Sequence, residues 1–204
     1  RTLRDWRKEG RRAILATVVR TWGSSPRPVG SIMGLCSDGS VVGSVSGGCI
    51  EDDLIHRFRH EVSGGPSGLT MPVGLPRLEK YGVTADEAHR FGLPCGGTLE
   101  LLPEIDPDGP SLTHLVQLLE AGCLVQRRVG LSDGSVSLAR ASAPSELAMS
   151  LTHVVNTFGP EYRMLLIGAG QMTEHLATMA LFSGFEVTVC DPREEYRKAF
   201  KPSG

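Results

Sequence analysis

The chain has 204 residues, 40% of them hydrophobic and 22% charged, a balance that argues against a disordered polymer and allows one or two packed cores. A formal net charge of −2 gives no overall draw toward nucleic acid or an anionic membrane, and no apolar run approaches the roughly 20 residues that cross a bilayer. The opening RTLRDWRKEGRR lacks the apolar centre of a signal peptide, so a cytoplasmic protein without membrane or nucleic-acid partners is expected.

Residues Ala13 to Thr21, AILATVVRT, are rich in β-branched side chains and predict a buried strand. WGSSPRPVG then breaks regular structure and holds Arg27 between two prolines. SIMGLCSDGSVVGSVSG predicts a hairpin turning at Asp38-Gly39. In IEDDLIHRFRHEV, Ile50, Leu54, Ile55, Phe58 and Val62 recur at helical spacing, and Glu51, Asp52 and Asp53 decorate a first turn where acids suit the helix dipole. A loop over 63–76 follows, then a short helix from Ala85 to Phe91 and a strand at TLELLPE. Ser111 to Ala121 predicts a helix ended by Gly122, and CLVQRRVGLSDGSVSLAR a second hairpin turning at Asp133-Gly134.

RMLLIGAGQMTEHLATMALFSGFEVTVCDP predicts a parallel βαβ unit that turns through Gly168-Ala169-Gly170 and ends its second strand at Asp191. The two glycines suit close approach of a pyrophosphate to backbone N–H groups at a helix start, and Asp191 suits a ribose hydroxyl. Thr173 stands where Gly or Ala would pack helix on strand most closely, which leaves a purely structural βαβ unit as the alternative. The fold class expected is α/β. An N-terminal mixed α/β domain spans 1–142, a linker centred on the Ala/Ser/Pro run spans 143–160, and 161–204 form the first βαβ unit of a Rossmann-like domain that is incomplete in this chain.

Five cysteines without a CxxC pair give no disulfide framework and no structural zinc pattern. Cys36, Cys123 and Cys190 sit among apolar or β-prone neighbours and are expected to be buried. Cys49 and Cys95 differ, since each adjoins a glycine pair, Gly47-Gly48 and Gly96-Gly97. Bare N–H groups at such glycines, with a helix start behind them, suit an anion and favour a thiolate, which can act as nucleophile, soft metal ligand or sulfur acceptor. The plain alternative is a tight turn with a buried thiol. Arg27 suits a phosphate through charge-assisted hydrogen bonds.

ATVVRTWGSSPRPVGSIM, VVGSVSGGCIEDDLI, YGVTADEA, GLPCGGTLELLPE and RMLLIGAGQ, in this order, resemble the xanthine dehydrogenase accessory proteins of the XdhC/CoxI type. The resemblance implies a chaperone that binds the molybdenum cofactor, as molybdopterin or a dinucleotide form, and assists its sulfuration with a cysteine desulfurase. Delivery to a molybdenum hydroxylase apo-enzyme follows, and the chaperone forms a homodimer. It also implies a cofactor-handling region at Ser24, Arg27, Gly47, Gly48, Cys49, Cys95, Gly96 and Gly97, without settling which of them touches the cofactor; on chemical grounds the thiols of Cys49 and Cys95 suit the metal or a transferable sulfur, and no catalytic residue is expected. Gly168, Gly170 and Asp191 form a second, nucleotide-type region. An NAD(P)-dependent oxidoreductase built on the βαβ unit, and a cofactor-free adaptor between desulfurase and hydroxylase, are the alternatives; no catalytic acid/base set accompanies the glycine motif.

Overall fold

The computed structural model describes residues 1–201 except Ser24, Pro26, 63–74, 83–96 and 160–161; for Cys49 and 57–62 only the backbone course is described. A short helix α1 (Thr2–Lys8) precedes a five-stranded antiparallel sheet of β1 (Ala13–Trp22), β2 (Ile32–Cys36), β3 (Val41–Gly43), β4 (Glu79–Tyr81) and β5 (Thr98–Ile105), in the order β3-β2-β1-β5-β4. Helix α2 (Cys49–Val62) lies between β3 and β4 in the chain. Strand β1 is buried along seven consecutive residues because both faces of the sheet are covered. On one face Ile14, Ala16, Val18, Leu99 and Leu101 pack with Val45, Ile50 and Leu54, the last two from α2. Strand alternation puts Val19 on the other face, with Leu102, and the β1–β5 register shifts between Val18 and Arg20.

That other face meets a second antiparallel sheet. Helix α3 (Gly109–Glu120) leads into β6 (Val125–Gly130) and β7 (Val136–Arg140), followed by β8 (Ala148–Met149) and β9 (His153–Phe158), ordered β7-β6-β9-β8. Val129 and Val154 of this sheet pack on Val19 and Leu102. Glu104 of β5 and Arg127 of β6 bridge the two sheets by two parallel 2.7 Å hydrogen bonds, with side chains only 7% and 4% exposed. The stretch 143–160 expected as linker therefore carries β8 and β9. Its Ala/Ser/Pro composition masks HVVNTF, a β-branched run that pairs along its whole length with β6.

The two hairpins, α2, α3 and the strand TLELLPE form as the sequence predicts, with Gly39 and Gly134 at positive φ in the turns. The short helix expected over Ala85 to Phe91 lies outside the described residues. The C-terminal segment forms β10 (Arg163–Ile167), α4 (Gln171–Phe182), β11 (Glu186–Cys190) and α5 (Glu194–Ala199), with β10 and β11 paired in parallel. Leu165, Ile167, Met172 and Phe182 of this unit are exposed, and Cys190 is exposed too because its strand belongs to a two-stranded sheet. Cys123 is half-buried, and of the three cysteines expected in the interior only Cys36 is buried. Among the described residues no helix is long and apolar enough to cross a membrane.

Because a buried charge left without its partner is costly, Arg127→Met is expected to lower stability by about 3–5 kcal/mol, and adding Glu104→Leu to recover most of that loss. Urea denaturation of both variants checks this. A double variant no more stable than the single one would contradict an inter-sheet role for the pair.

Candidate functional site

The antiparallel register of the first sheet gathers the sequence motifs at one of its ends. Strand β1 ends at Trp22, opposite Thr98 at the start of β5, and Thr17 of β1 faces Ile32 at the start of β2. Met33 faces Gly43 at the end of β3. The Pro-flanked loop carrying Arg27, the Ser44–Gly48 loop and the buried Gly97 before β5 consequently emerge at the same edge. Val45 within the Ser44–Gly48 loop and Ile50 just after it, both fully buried, root that loop in the core.

Glu51 organises the loop. The N–H groups of Val45, Ser46 and Gly47 donate to its Oε1 at 2.9, 2.8 and 3.0 Å, and the N–H of Gly48 donates to Oε2 at 2.9 Å. The hydroxyl of Ser44 donates to Oε1 at 2.8 Å and that of Ser46 donates to Oε2. The Gly48 carbonyl accepts from Asp52 N–H, so Gly48 caps α2 and Glu51 occupies the third helical position. That is the reach-back half of a capping box, extended over three further donors. Gly47 has φ of +93°, a conformation that favours glycine and turns successive N–H groups toward one point. Burial pushes the Glu51 carboxyl up, but the Ser46 hydroxyl and the N–H groups of Ser46, Gly47 and Gly48 outweigh it and hold the group well below the usual carboxylate range.

The expectation that Gly47 and Gly48 offer bare N–H donors to a ligand is therefore corrected. Their donors face inward to a carboxylate of the same chain. What remains outward is glycine surface, since among the described residues a Cβ placed at either position meets no atom within 4 Å beyond its chain neighbours. Arg27 sits beside this loop, its Nε donating to Ser44 Oγ at 3.3 Å while its own carbonyl accepts from Ser25 Oγ at 2.8 Å. Among the described residues the terminal nitrogens of Arg27 make no hydrogen bond or ion pair, so its charge is available for an anion. Cys49 is the first residue of α2. Ser24, Cys95 and Gly96 lie outside the described residues.

The sequence reading missed the roles of Glu51 and Ser44. Gly48-x-x-Glu51 just before an apolar-periodic run is a helix-start signature that would have separated Glu51 from its acidic neighbours. Asp53 meets instead the hydroxyl of Tyr81, which donates to it at 3.1 Å. Among the described residues no cluster of three His, Cys, Asp or Glu side chains is arranged to hold a metal ion.

In the βαβ unit Gly168 has φ of +99° and Gly170 caps α4. The N–H of Gly168 donates to the Cys190 carbonyl at 2.7 Å, and the N–H of Ala169 donates to Asp191 Oδ2 at 2.8 Å. Arg193 closes around the same carboxylate, donating from N–H, Nε and Nη2 at 2.9, 3.0 and 2.8 Å. Asp191 is 1% exposed, and these contacts, the Arg193 guanidinium foremost, hold its carboxyl well below the usual range. The expected ribose ligand is thus engaged as an internal brace, because Arg193 two residues later folds back on it.

Residues 6–72 match the XdhC and CoxI family. The resemblance read from the sequence is borne out over that stretch. The chain is 26% identical over 194 residues to the molybdenum cofactor insertion chaperone PaoD of Escherichia coli (strain K12), covering 89% of this chain and 54% of that protein. It is 24% identical over 210 residues to a probable xanthine dehydrogenase subunit of Bacillus subtilis (strain 168), covering 90% of this chain and 61% of that one. The crystal structure of a xanthine dehydrogenase from Bacillus halodurans superposes with a TM-score of 0.69 at 26% identity, over 98% of this chain and 65% of that one. The chain accordingly spans little more than half to just under two thirds of these relatives.

Glu51→Gln retains one acceptor and sets an NH2 group against converging donors; it is expected to cost about 2 kcal/mol or more in chemical denaturation at neutral pH. A loss no larger than that of Asp52→Asn would contradict the central place of Glu51. For Asp191 the native carboxyl titrates below the unfolded one. Its contribution is complete above the ordinary pKa of about 3.9 and is lost as pH falls from there toward the native value. Exchange of the Ala169 amide should be slow at pH 6 and, relative to the intrinsic rate, accelerate below about pH 4; acceleration on raising the pH instead would contradict that sign.

Proposed function

We propose that this chain binds the molybdenum cofactor and delivers it to the apo-form of a molybdenum hydroxylase of the xanthine dehydrogenase class. The observation that carries the reading is the convergence of the Arg27 loop, the Ser44–Gly48 loop with Cys49 behind it, and Gly97 at one end of the first sheet. The match to the XdhC and CoxI family and the similarity to a protein named as a molybdenum cofactor insertion chaperone support it.

The cofactor supplies a phosphate, alone in molybdopterin or within a dinucleotide, together with a soft metal centre. This chain's residues fit that chemistry in a particular way. With the Gly47 and Gly48 donors engaged by Glu51, anion recognition falls to the terminal nitrogens of Arg27, a planar cation suited to phosphate. Cys49 and Cys95 offer thiolates to the metal or to a transferable sulfur, and Ser24, Gly96 and Gly97 belong to the same proposed cofactor-handling region. A cysteine desulfurase and the hydroxylase apo-enzyme are the partners in this reading, and the chaperone acts as a cytoplasmic homodimer without turnover of its own. The βαβ unit is the Rossmann-like part, and contact with the nucleotide end of a dinucleotide cofactor falls to Gly170 and the start of α4. The oxidoreductase alternative draws less support, since Asp191 is engaged within the chain.

The chain isolated without oxygen and under reducing conditions from a host that makes the cofactor should retain pterin and molybdenum by mass spectrometry and metal analysis. Cys49→Ala and Cys95→Ala should each lower retention at least about tenfold. Protein that captures desulfurase and hydroxylase yet carries neither pterin nor molybdenum would overturn cofactor carriage in favour of the adaptor.

A further inference from the structure

The Ser44 hydroxyl accepts from Arg27 and donates to Glu51, so two loops that are separate in the sequence share one hydrogen-bonded chain. Glu51 cannot move without disturbing four backbone donors, and Ser44 cannot turn away without leaving Glu51 short of one. The Arg27 head is therefore tied to the most constrained point of the loop. Its backbone is restrained independently by the Pro28 that follows and by the Ser25 hydroxyl on its carbonyl.

We propose that Glu51 is a positioning residue for anion recognition, acting through the Ser44 hydroxyl to hold the Arg27 guanidinium by its Nε with the terminal nitrogens free for the ligand. The inference rests on the cofactor-binding reading above and adds to it a residue that touches no ligand. An arginine side chain carries large rotamer freedom, and losing it on binding weakens affinity; a side chain already held at Nε loses less. The two terminal nitrogens, which bond none of the described residues, are the pair suited to grip a phosphate.

Two readouts test this, in the whole chain. The first needs no cofactor: with 15N-labelled arginine, the Arg27 Nε–H signal should be protected from exchange in the wild type, lost in Ser44→Ala and Glu51→Gln, and kept in Ser44→Thr, which retains the hydroxyl. The second is pterin retained from a cofactor-making host. Ser44→Ala and Glu51→Gln should lower it about tenfold, Ser44→Thr should restore it, and Ser44→Ala added to Arg27→Ala should lower it no further than Arg27→Ala alone. Ser44→Ala removes only a loop hydroxyl, so a folding defect in Glu51→Gln does not decide the result. Wild-type retention in Ser44→Ala, or additive losses in the double variant, would overturn the proposal. Wild-type protein that carries no pterin would overturn the carrier reading instead, and the positioning claim would then be decided by the Nε–H signal alone.

Discussion

One carboxylate sets the geometry at the motif-bearing end of this protein. Glu51 accepts four consecutive backbone N–H groups and two hydroxyls, a donor set that in an isolated loop would attract an external anion. Here the anion belongs to the chain itself. The four loop N–H groups and both hydroxyls find their acceptor within the chain. The start of α2, and with it the backbone position of Cys49, is fixed by the same carboxylate, since Glu51 reaches back from the first turn to the capping residue.

This constraint redistributes the chemistry of the site. In the cofactor-binding reading proposed above, backbone donors committed internally leave anion recognition to a side chain, and Arg27 is held beside them through Ser44. The two-sheet body provides the rigid base: Val45 and Ile50 anchor the loop in the core between the first sheet and α2, while Glu104 and Arg127 tie that sheet to the second from the opposite face. The βαβ unit repeats the theme on a smaller scale. Gly168 and Ala169 spend their N–H groups on Cys190 and Asp191, and Asp191 is further closed by Arg193. In each of these two motifs a carboxylate of the chain itself takes backbone N–H groups.

Much of the fold was legible because local pattern and tertiary outcome agree. The β-branched run of β1, the Asp-Gly turns of both hairpins and the helical spacing of Ile50 and Leu54 each encode their element locally. Strands β8 and β9 were hidden by the Ala/Ser/Pro run before them, and Cys190 was misread because its neighbours are β-prone while its sheet has only two strands. At the candidate site, the identity of the important loops was readable but the direction of their donors was not. Whether an N–H faces outward depends on where a carboxylate three residues later folds, and composition treats Glu51, Asp52 and Asp53 alike. For Asp191 too the direction was not readable: its local partner Arg193, two residues later, and the Ala169 N–H lie outside the spacing rules for dinucleotide sites.

The claim on which the rest depends is that Glu51 holds the Ser44–Gly48 loop. Amide hydrogen exchange resolved to Val45, Ser46, Gly47 and Gly48 measures it directly. All four amides should be protected in the wild type, although Gly47 and Gly48 are exposed residues, and all four should lose protection together in Glu51→Gln while Leu99 and Leu101 of β5 keep theirs. Fast exchange at Gly47 and Gly48 in the wild type, or protection that survives the substitution, would contradict the account.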